Sequence, residues 1–313
     1  MSNPGGPCRR AGRHRSPGLC LLAPNLLIVG SVAESANMNN EFSLFTSLRY
    51  DPRLREVPSK GLTGEGWNFE NESSLYMLDF HRDRMLRAAT HWKWQAAIDA
   101  LAGDDGLQKL ARLTEEVIGS TQTSPLRVRI IVSREGEIEA QKFGTPELPL
   151  ESLYPERLPP PGSSNSPGDP KRETPFALLV DHAVTTRSEY THYKTTKREM
   201  YDSARQRANI SPTDPKELLI VNEDDGSVME GTITTPYFWR HGQWVTPTVA
   251  ANFSWEDGSG GQDGTSRRWA LERGLATEQV VKADSLINGE ECWISNGVRG
   301  FVWAKINLKD QQQ

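Results

Sequence analysis

Nine of the chain's 20 prolines lie between residues 145 and 175, from Pro146 to Pro175. Proline fixes φ and offers no N–H to a helix interior or a central strand. No single helix or strand can run through this stretch. The sequence Ser163-Ser-Asn-Ser166 in its middle adds no apolar pattern. Residues 145–175 therefore read as a linker or exposed insertion rather than a core element. They separate a small N-terminal α+β subdomain at 41–144 from a larger C-terminal one at 176–313. The total of 313 residues leaves room for both.

An extension at 1–40 precedes them. It holds Arg9, Arg10, Arg13 and Arg15 and no acid before Glu34. Its apolar run Leu19–Val29 is too short to cross a bilayer and is interrupted by Pro24 and Asn25. A basic start with a short apolar region fits a leader or transit peptide. The Pro- and Gly-rich composition favours a disordered extension, with Met38 as an alternative start. A cytoplasmic location is expected, or a mitochondrial one if the extension is a true transit peptide.

Within the two halves, periodicity predicts mixed elements. Phe42–Tyr50 and Leu75–Phe80 read as strands, and His81–Ala102 as a helix stopped by Gly103-Asp-Asp-Gly106. Leu107–Ile118 reads as a second helix, and Leu126–Val132 and Glu137–Lys142 as a strand pair. In the second half, strands are expected at 175–181, 217–222, 228–232, 236–240, 244–247, 279–283, 291–294 and 301–306. Helices are expected at 197–208 and 265–275. The class is α+β, with two mixed α/β subdomains.

Composition removes several functions. Lys plus Arg is 36 against 41 for Asp plus Glu, a net charge of -5, which argues against a nucleic-acid partner. A membrane partner is not expected either. The three cysteines, Cys8, Cys20 and Cys292, make no disulfide framework, and the histidines show no metal-ligand spacing, so no metal is expected. A phosphate loop, a dinucleotide fingerprint and a Gly-x-Ser-x-Gly elbow are all missing from the sequence.

Four segments can carry chemistry. Gly258–Gly264 runs into a helix start at Thr265-Ser266, where amides and hydroxyls could cradle a phosphate or could simply cap the helix. Lys194 stands where an extended segment meets a helix; a desolvated lysine there can form a Schiff base, and an exposed one is only a surface charge. Glu230 lies in a strand that otherwise reads as core. It is either a solvent-facing acid or a buried one paired with a cation. Arg84, in His81-Arg-Asp-Arg-Met85, is either a solvated helix residue or an anion clamp.

In this order, the segments resemble the fold-type IV pyridoxal-phosphate enzymes, which include branched-chain and D-amino-acid aminotransferases and aminodeoxychorismate lyases. His81-x-x-Arg84-Met85 is similar to the family's His-x-x-Arg-Leu helix, and Lys194-Thr-Thr-Lys-Arg198 to its Lys-Thr-Thr-Asn-Arg segment. Glu230-Gly-Thr-Ile-Thr-Thr-Pro-Tyr-Phe-Trp239 resembles its Glu-Gly strand. Trp244-Val-Thr-Pro247 with Gly264-Thr-Ser-Arg267 resembles its phosphate turn. The likeness covers about residues 41–306. It implies pyridoxal 5'-phosphate as cofactor, bound in the larger subdomain. Lys194 would be the catalytic lysine that carries it, Glu230 the partner of its ring nitrogen, and Arg84, Thr265 and Ser266 its phosphate ligands.

Two departures stand out. Lys197 replaces the usual Asn, and Thr235-Pro236 replaces Asn-Leu. Arg198 falls at or near the position of the tyrosine that contacts the cofactor's phenolic oxygen in aminotransferases. Within the group, Phe45–Pro52 and Ser295–Gly300 look most like fungal-type aminodeoxychorismate lyases. The resemblance then implies release of pyruvate from 4-amino-4-deoxychorismate to give 4-aminobenzoate for folate biosynthesis, by a homodimer. An aminotransferase acting on D-amino acids, (R)-amines or branched-chain substrates is the alternative. A substrate with two carboxylates needs cations, for which Arg129, Arg134 and Arg299 are candidates.

Overall fold

The computed structural model describes Met1, residues 42–60 and residues 64–309. Apart from Met1, the expected extension at 1–40 lies outside the described residues. The alternation Leu126-Arg-Val-Arg-Ile-Ile-Val132 builds β2, whose Val128, Ile130 and Val132 are buried while Arg127 is exposed. β1 (Leu44–Tyr50), β2 (Leu126–Val132) and β3 (Ile138–Gly144) form an antiparallel sheet in that order. A short helix α1 (Trp67–Glu70) and the helices α2 (Leu78–His91), α3 (Gln95–Leu101) and α4 (Gly103–Ile118) follow β1. Leu44, Leu48, Met85, Ala89, Leu110 and Val128 share one core with them.

The second sheet has eight strands. These are β4 (Phe176–Thr185), β5 (Lys216–Asn222), β6 (Val228–Gly231), β7 (Thr235–Arg240), β8 (Gln243–Thr246), β9 (Thr277–Glu278), β10 (Glu291–Asn296) and β11 (Gly300–Ile306). Their order is β6-β5-β4-β11-β10-β7-β8-β9, with β4 parallel to both β5 and β11. The helices are α5 (Leu150–Leu153), α6 (Glu189–His192), α7 (Glu199–Arg207) and α8 (Thr265–Glu272). The architecture is α+β, as the pattern of elements leads one to expect.

Four local expectations fail for identifiable reasons. Leu75–Phe80 is not a strand: the chain turns at Met77 (φ 50) and α2 begins at Leu78. A short, fully buried apolar run has no period to tell helix from strand. A helix does end before Gly103, at Leu101, but Gly103–Gly106 also starts α4, four residues ahead of the expected Leu107, with Asp104 and Asp105 in the first turn, where the helix dipole favours acids. The helix expected over 81–102 is broken at Lys93 (φ 56), between α2 and α3. Finally, the strand expected at 279–283 is replaced by β9, an isolated bridge at Lys282 and a 3-10 turn over Ala283–Ser285.

The Pro-rich segment also differs from its reading as an exposed piece. Leu150, Leu153, Tyr154 and Leu158 are buried in a core with Tyr76, Trp244, Trp269 and Phe301. Proline spacing excludes regular structure but not side-chain burial, and the four apolar anchors lie between the prolines. Gly300 makes room for this packing. It has φ +59, and a Cβ there would lie 2.1 Å from the Ser152 carbonyl oxygen. Gly300→Ala is expected to lower stability by roughly 2–4 kcal/mol, from left-handed strain plus overpacking. Denaturant unfolding measures this, and an unchanged midpoint would refute the close approach.

Candidate active site

The backbone places Lys194 before its side chain does anything. Helix α6 is closed at its start by a reciprocal Ser188–Thr191 cap and ends at His192. The chain then runs along the outer edge of β1: Phe45 N–H donates to the Lys194 carbonyl (3.1 Å), and Thr196 N–H donates to the Ser43 carbonyl (2.9 Å). The Lys194 Nζ sits 5.0 Å from the centre of the Phe45 ring and donates to Gln262 Oε1 at 3.4 Å. Burial, and then the charges of Arg84 and Arg198, push the amine down to about 7, with Glu230 pulling the other way.

Glu230 comes from β6 and is buried. Burial raises its carboxyl to about 7, against the Tyr201 hydroxyl that donates to it and the charge of Lys194. Tyr201 comes from α7, and its phenol also meets the Gln262 amide, whose Nε2 donates to it at 3.2 Å. Lys194, Gln262, Tyr201 and Glu230 thus form one connected group.

A second group is linked to Lys194 by charge. Arg84 on α2 donates to Thr46 Oγ1 on β1, and the same hydroxyl lies 2.6 Å from His81 Nδ1. The other ring nitrogen of His81 is 3.5 Å from Thr265 Oγ1 at the start of α8. His81 has no exposed surface, and burial followed by the charges of Arg84 and Lys194 holds it well below its usual range, so it is neutral. Gly297 lies against this pair; a Cβ there would be 2.5 Å from His81 Cε1 and 2.9 Å from Thr265 Oγ1. The Ser266 hydroxyl meets Ser295 Oγ at 2.8 Å, which meets the Tyr237 hydroxyl at 2.8 Å.

This second group fits an anion. Arg84 Nε is buried with no partner, and its guanidinium, lowered by burial to about 10, keeps its charge at neutral pH. The Gly264 cap of α8 supplies no side-chain acceptor to the first-turn amides. A small cleft open to solvent is lined by Arg84, Arg87, His192, Tyr193, Ala251 and Asp263. Asp263 is paired with Arg87 (2.7 Å) and Arg267 (3.2 Å).

The three candidate substrate cations separate. Arg129 on β2 lies over the Phe45 ring, 4.7 Å from its centre, and its charge acts on Lys194. Its Nε is buried without a partner. Arg299 sits in the β10–β11 turn, 5.5 Å from the Phe176 ring, where its strongest charged neighbour is Glu217. Arg134 is exposed in the β2–β3 turn, two residues beyond the strand. The structure therefore brings Arg129 to the lysine, and not Arg134 or Arg299. Arg198 donates to the Thr232 carbonyl (3.4 Å) and faces both Lys194 and Glu230 by charge. Sequence reasoning missed Thr46, Tyr201 and Gln262. Tyr201 carries a local signal, because it lies on the first turn after the lysine segment; Thr46 and Gln262 carry none.

The chain matches the family model described as amino-transferase class IV over residues 64–305. It belongs to that family, whose members in general depend on pyridoxal phosphate. A Schizosaccharomyces pombe protein, named as a proposed aminodeoxychorismate lyase, is 25% identical over 235 residues, covering 73% of this chain and 83% of its own. The aminodeoxychorismate lyase of Saccharomyces cerevisiae is 30% identical over 148 residues, covering 42% of this chain and 37% of its own. Among solved structures, a proposed amino-acid aminotransferase from Mesorhizobium loti superposes with a TM-score of 0.57 at 21% identity, covering 85% of this chain and all 100% of its own. The fold is that of the fold-type IV enzymes.

The pocket carries a pH signature. His192 is buried, and burial, followed by the charge of Arg87, lowers it from 6.5 to about 4. A folded value below the unfolded one means stability that is full above pH 6.5 and lost as pH falls through about 4. His192→Gln is expected to remove roughly 2–3 kcal/mol of acid sensitivity across that window. Urea unfolding at neutral and acidic pH would show it; parallel pH profiles for the two proteins would refute it.

Proposed function

We propose that the protein is a pyridoxal-phosphate-dependent lyase that converts 4-amino-4-deoxychorismate into 4-aminobenzoate and pyruvate. The observation that carries the cofactor reading is the joint placement of Lys194 and Glu230 beside Arg84, whose buried Nε lacks a partner. The named fungal relatives support lyase chemistry over amine transfer. A homodimer in the cytoplasm belongs to the same reading.

Bound pyridoxal phosphate would supply an electron-accepting ring for the pair left when the C–H bond beside the substrate amine breaks. The chain's own groups do the rest. Arg84 Nε and the first-turn amides of α8 would hold the phosphate, with Thr265 beside them. The Ser266 hydroxyl supports that turn through Ser295. Glu230 would hold a proton on the ring nitrogen. Lys194 would carry the cofactor, and its free amine would be the base that takes the proton from the carbon beside the substrate amine. An amine lowered to about 7 is unprotonated in about half of the molecules at neutral pH, against almost none for an ordinary lysine, and both roles use that free-base form. The bond between the substrate's ring carbon and the ether oxygen then breaks, the oxygen leaves with the enolpyruvyl group, the substrate ring becomes aromatic, and a proton added to the methylene carbon of the released enol gives pyruvate. Arg129, with its unpartnered Nε, suits a substrate carboxylate.

The test is an absorbance spectrum with pyridoxal phosphate, followed by borohydride reduction and peptide mapping. The reduced cofactor is expected on the peptide carrying Lys194, and Lys194→Ala is expected to lose both that label and about 10³-fold or more of pyruvate release. Label elsewhere, or none, would overturn the cofactor assignment. Pyruvate release without an added 2-oxo acid supports the lyase; amine transfer that requires one would replace it with the aminotransferase. Arg129→Gln is expected to raise KM by about 10-fold or more with cofactor binding unchanged, whereas Arg134→Gln should leave KM near that of the parent.

A further inference from the structure

The hydrogen bonds around Glu230 run in one direction. Lys194 Nζ donates to Gln262 Oε1 (3.4 Å), Gln262 Nε2 donates to the Tyr201 oxygen (3.2 Å), and the Tyr201 hydroxyl donates to Glu230. Tyr201 and Gln262 are both buried. The position of Gln262 is fixed by the close passage of its loop: a Cβ on Gly261 would lie 2.5 Å from the Met229 carbonyl oxygen and 3.2 Å from Glu230 Cβ. The backbone N–H of Gln262 also serves the Glu230 carboxylate. We propose that Tyr201 and Gln262 are positioning residues that tie the charge of Glu230 to that of Lys194 through this continuous path. The inference deepens the cofactor reading, since these are the two groups that reading assigns to the ring nitrogen and the reacting amine.

The phenol is the element with two settings. It has one proton and two acceptors in reach, Glu230 and the Thr191 carbonyl at 3.2 Å. An ionised Glu230 takes that proton in a charge-assisted bond. A protonated Glu230 instead donates to the phenol oxygen, and the phenol turns to Thr191. Burial and then Glu230 keep the Tyr201 proton well above its ordinary range, so the phenol reorients without ionising. The other charged groups facing the pair are Arg84 from α2, Arg129 from β2 and Arg198 before α7. All three are cations that disfavour the ammonium form of Lys194. Glu230 alone supports it, and the path keeps that support in place.

Removing the phenol hydroxyl takes away a bond that favours ionised Glu230. The carboxyl then stays protonated to higher pH, and Lys194 loses its anionic neighbour. Tyr201→Phe should therefore lower the Lys194 midpoint further, by roughly 3- to 10-fold in proton affinity. Gln262→Leu should act in the same direction, because it removes the acceptor of the ammonium. A purely structural role gives the opposite sign, since loosened packing admits water and raises the amine toward 10.5.

The experiment is competitive labelling of Lys194 by trace acetic anhydride at pH values from about 5 to 10, read by peptide mass, on the full chain without added cofactor. A lowered midpoint in both variants supports the path. An unchanged or raised midpoint in either overturns it. If Tyr201→Phe fails to fold, Gln262→Leu in the loop still decides the question. Borohydride mapping of the parent with pyridoxal phosphate is run alongside. A parent that takes no cofactor defeats the cofactor reading without touching the labelling result.

Discussion

The outer edge of β1 is the constraint on which the site depends. One side of the strand is satisfied by β2, and an uncovered second side would leave a row of unpaired backbone groups. Several distant segments cover it. Lys194 and Thr196 bond the backbone around Ser43 and Phe45; the Gly297 carbonyl accepts from Arg49 N–H at 2.9 Å; the Ser74 carbonyl accepts from Asp51 N–H at 2.9 Å; and Tyr76 N–H donates to Arg49. A buried backbone group left unmet costs about 1–3 kcal/mol, so these segments have little freedom to drift. The same strand aims Phe45 at Lys194 and Thr46 at Arg84. Backbone pairing on one edge thus sets the spacing between Lys194 and Arg84.

Charge then decides what such a site can accept. Arg84, Arg129 and Arg198 all act on Lys194, against Glu230 as the opposing carboxylate. Burial outweighs the attraction within the Lys194–Glu230 pair, since both groups move toward their neutral forms. What remains is a largely buried group with a positive excess, in which the Nε atoms of Arg84 and Arg129 have no partner. Such a group favours anions over neutral ligands and is stabilised when an anion arrives. Asp263 is the local counter-charge. It is held by Arg87 and Arg267, and its pull on Arg84 is the largest charge effect that residue feels.

Part of this was legible in the sequence. Strands with clear alternation, such as β2, and strands bounded by turn residues, such as β5, follow from period and punctuation. Arg84, Lys194, Glu230 and Thr265 could be named from short motifs, because each motif carries its own turn or helix start. The ranking of the arginines was not legible. Arg129 and Arg134 differ by five positions, yet one lies within β2 and the other beyond its end, and only the register of β1 against β2, with Ser47 opposite Arg129, fixes which meets the lysine. Thr46 and Gln262 were invisible for a similar reason. Thr46 is 38 residues from Arg84 and Gln262 is 68 from Lys194, and no local pattern marks a contact at such separations.

The departure at Thr235-Pro236 shows how a local exception can be absorbed at the site. Proline in a central strand removes a ladder donor. Pro236 stands near the start of β7, opposite Ile294 of β10, and the pairing of β7 with β8 begins only at Phe238. The side facing β8 at Pro236 is met instead through its carbonyl, which accepts from Thr246 Oγ1 at 2.9 Å. Its neighbour Thr235 turns its hydroxyl toward the start of α8, where a Cβ on Gly264 would lie 2.9 Å from it. Gly264 has an ordinary φ of -66, so this close approach, and not backbone conformation, is what calls for glycine there. The pair thus ends the β7–β8 ladder early and leaves a threonine against the turn that presents Thr265 and Ser266. The unusual residues of the strand and the glycine at the start of α8 are two sides of one packing contact.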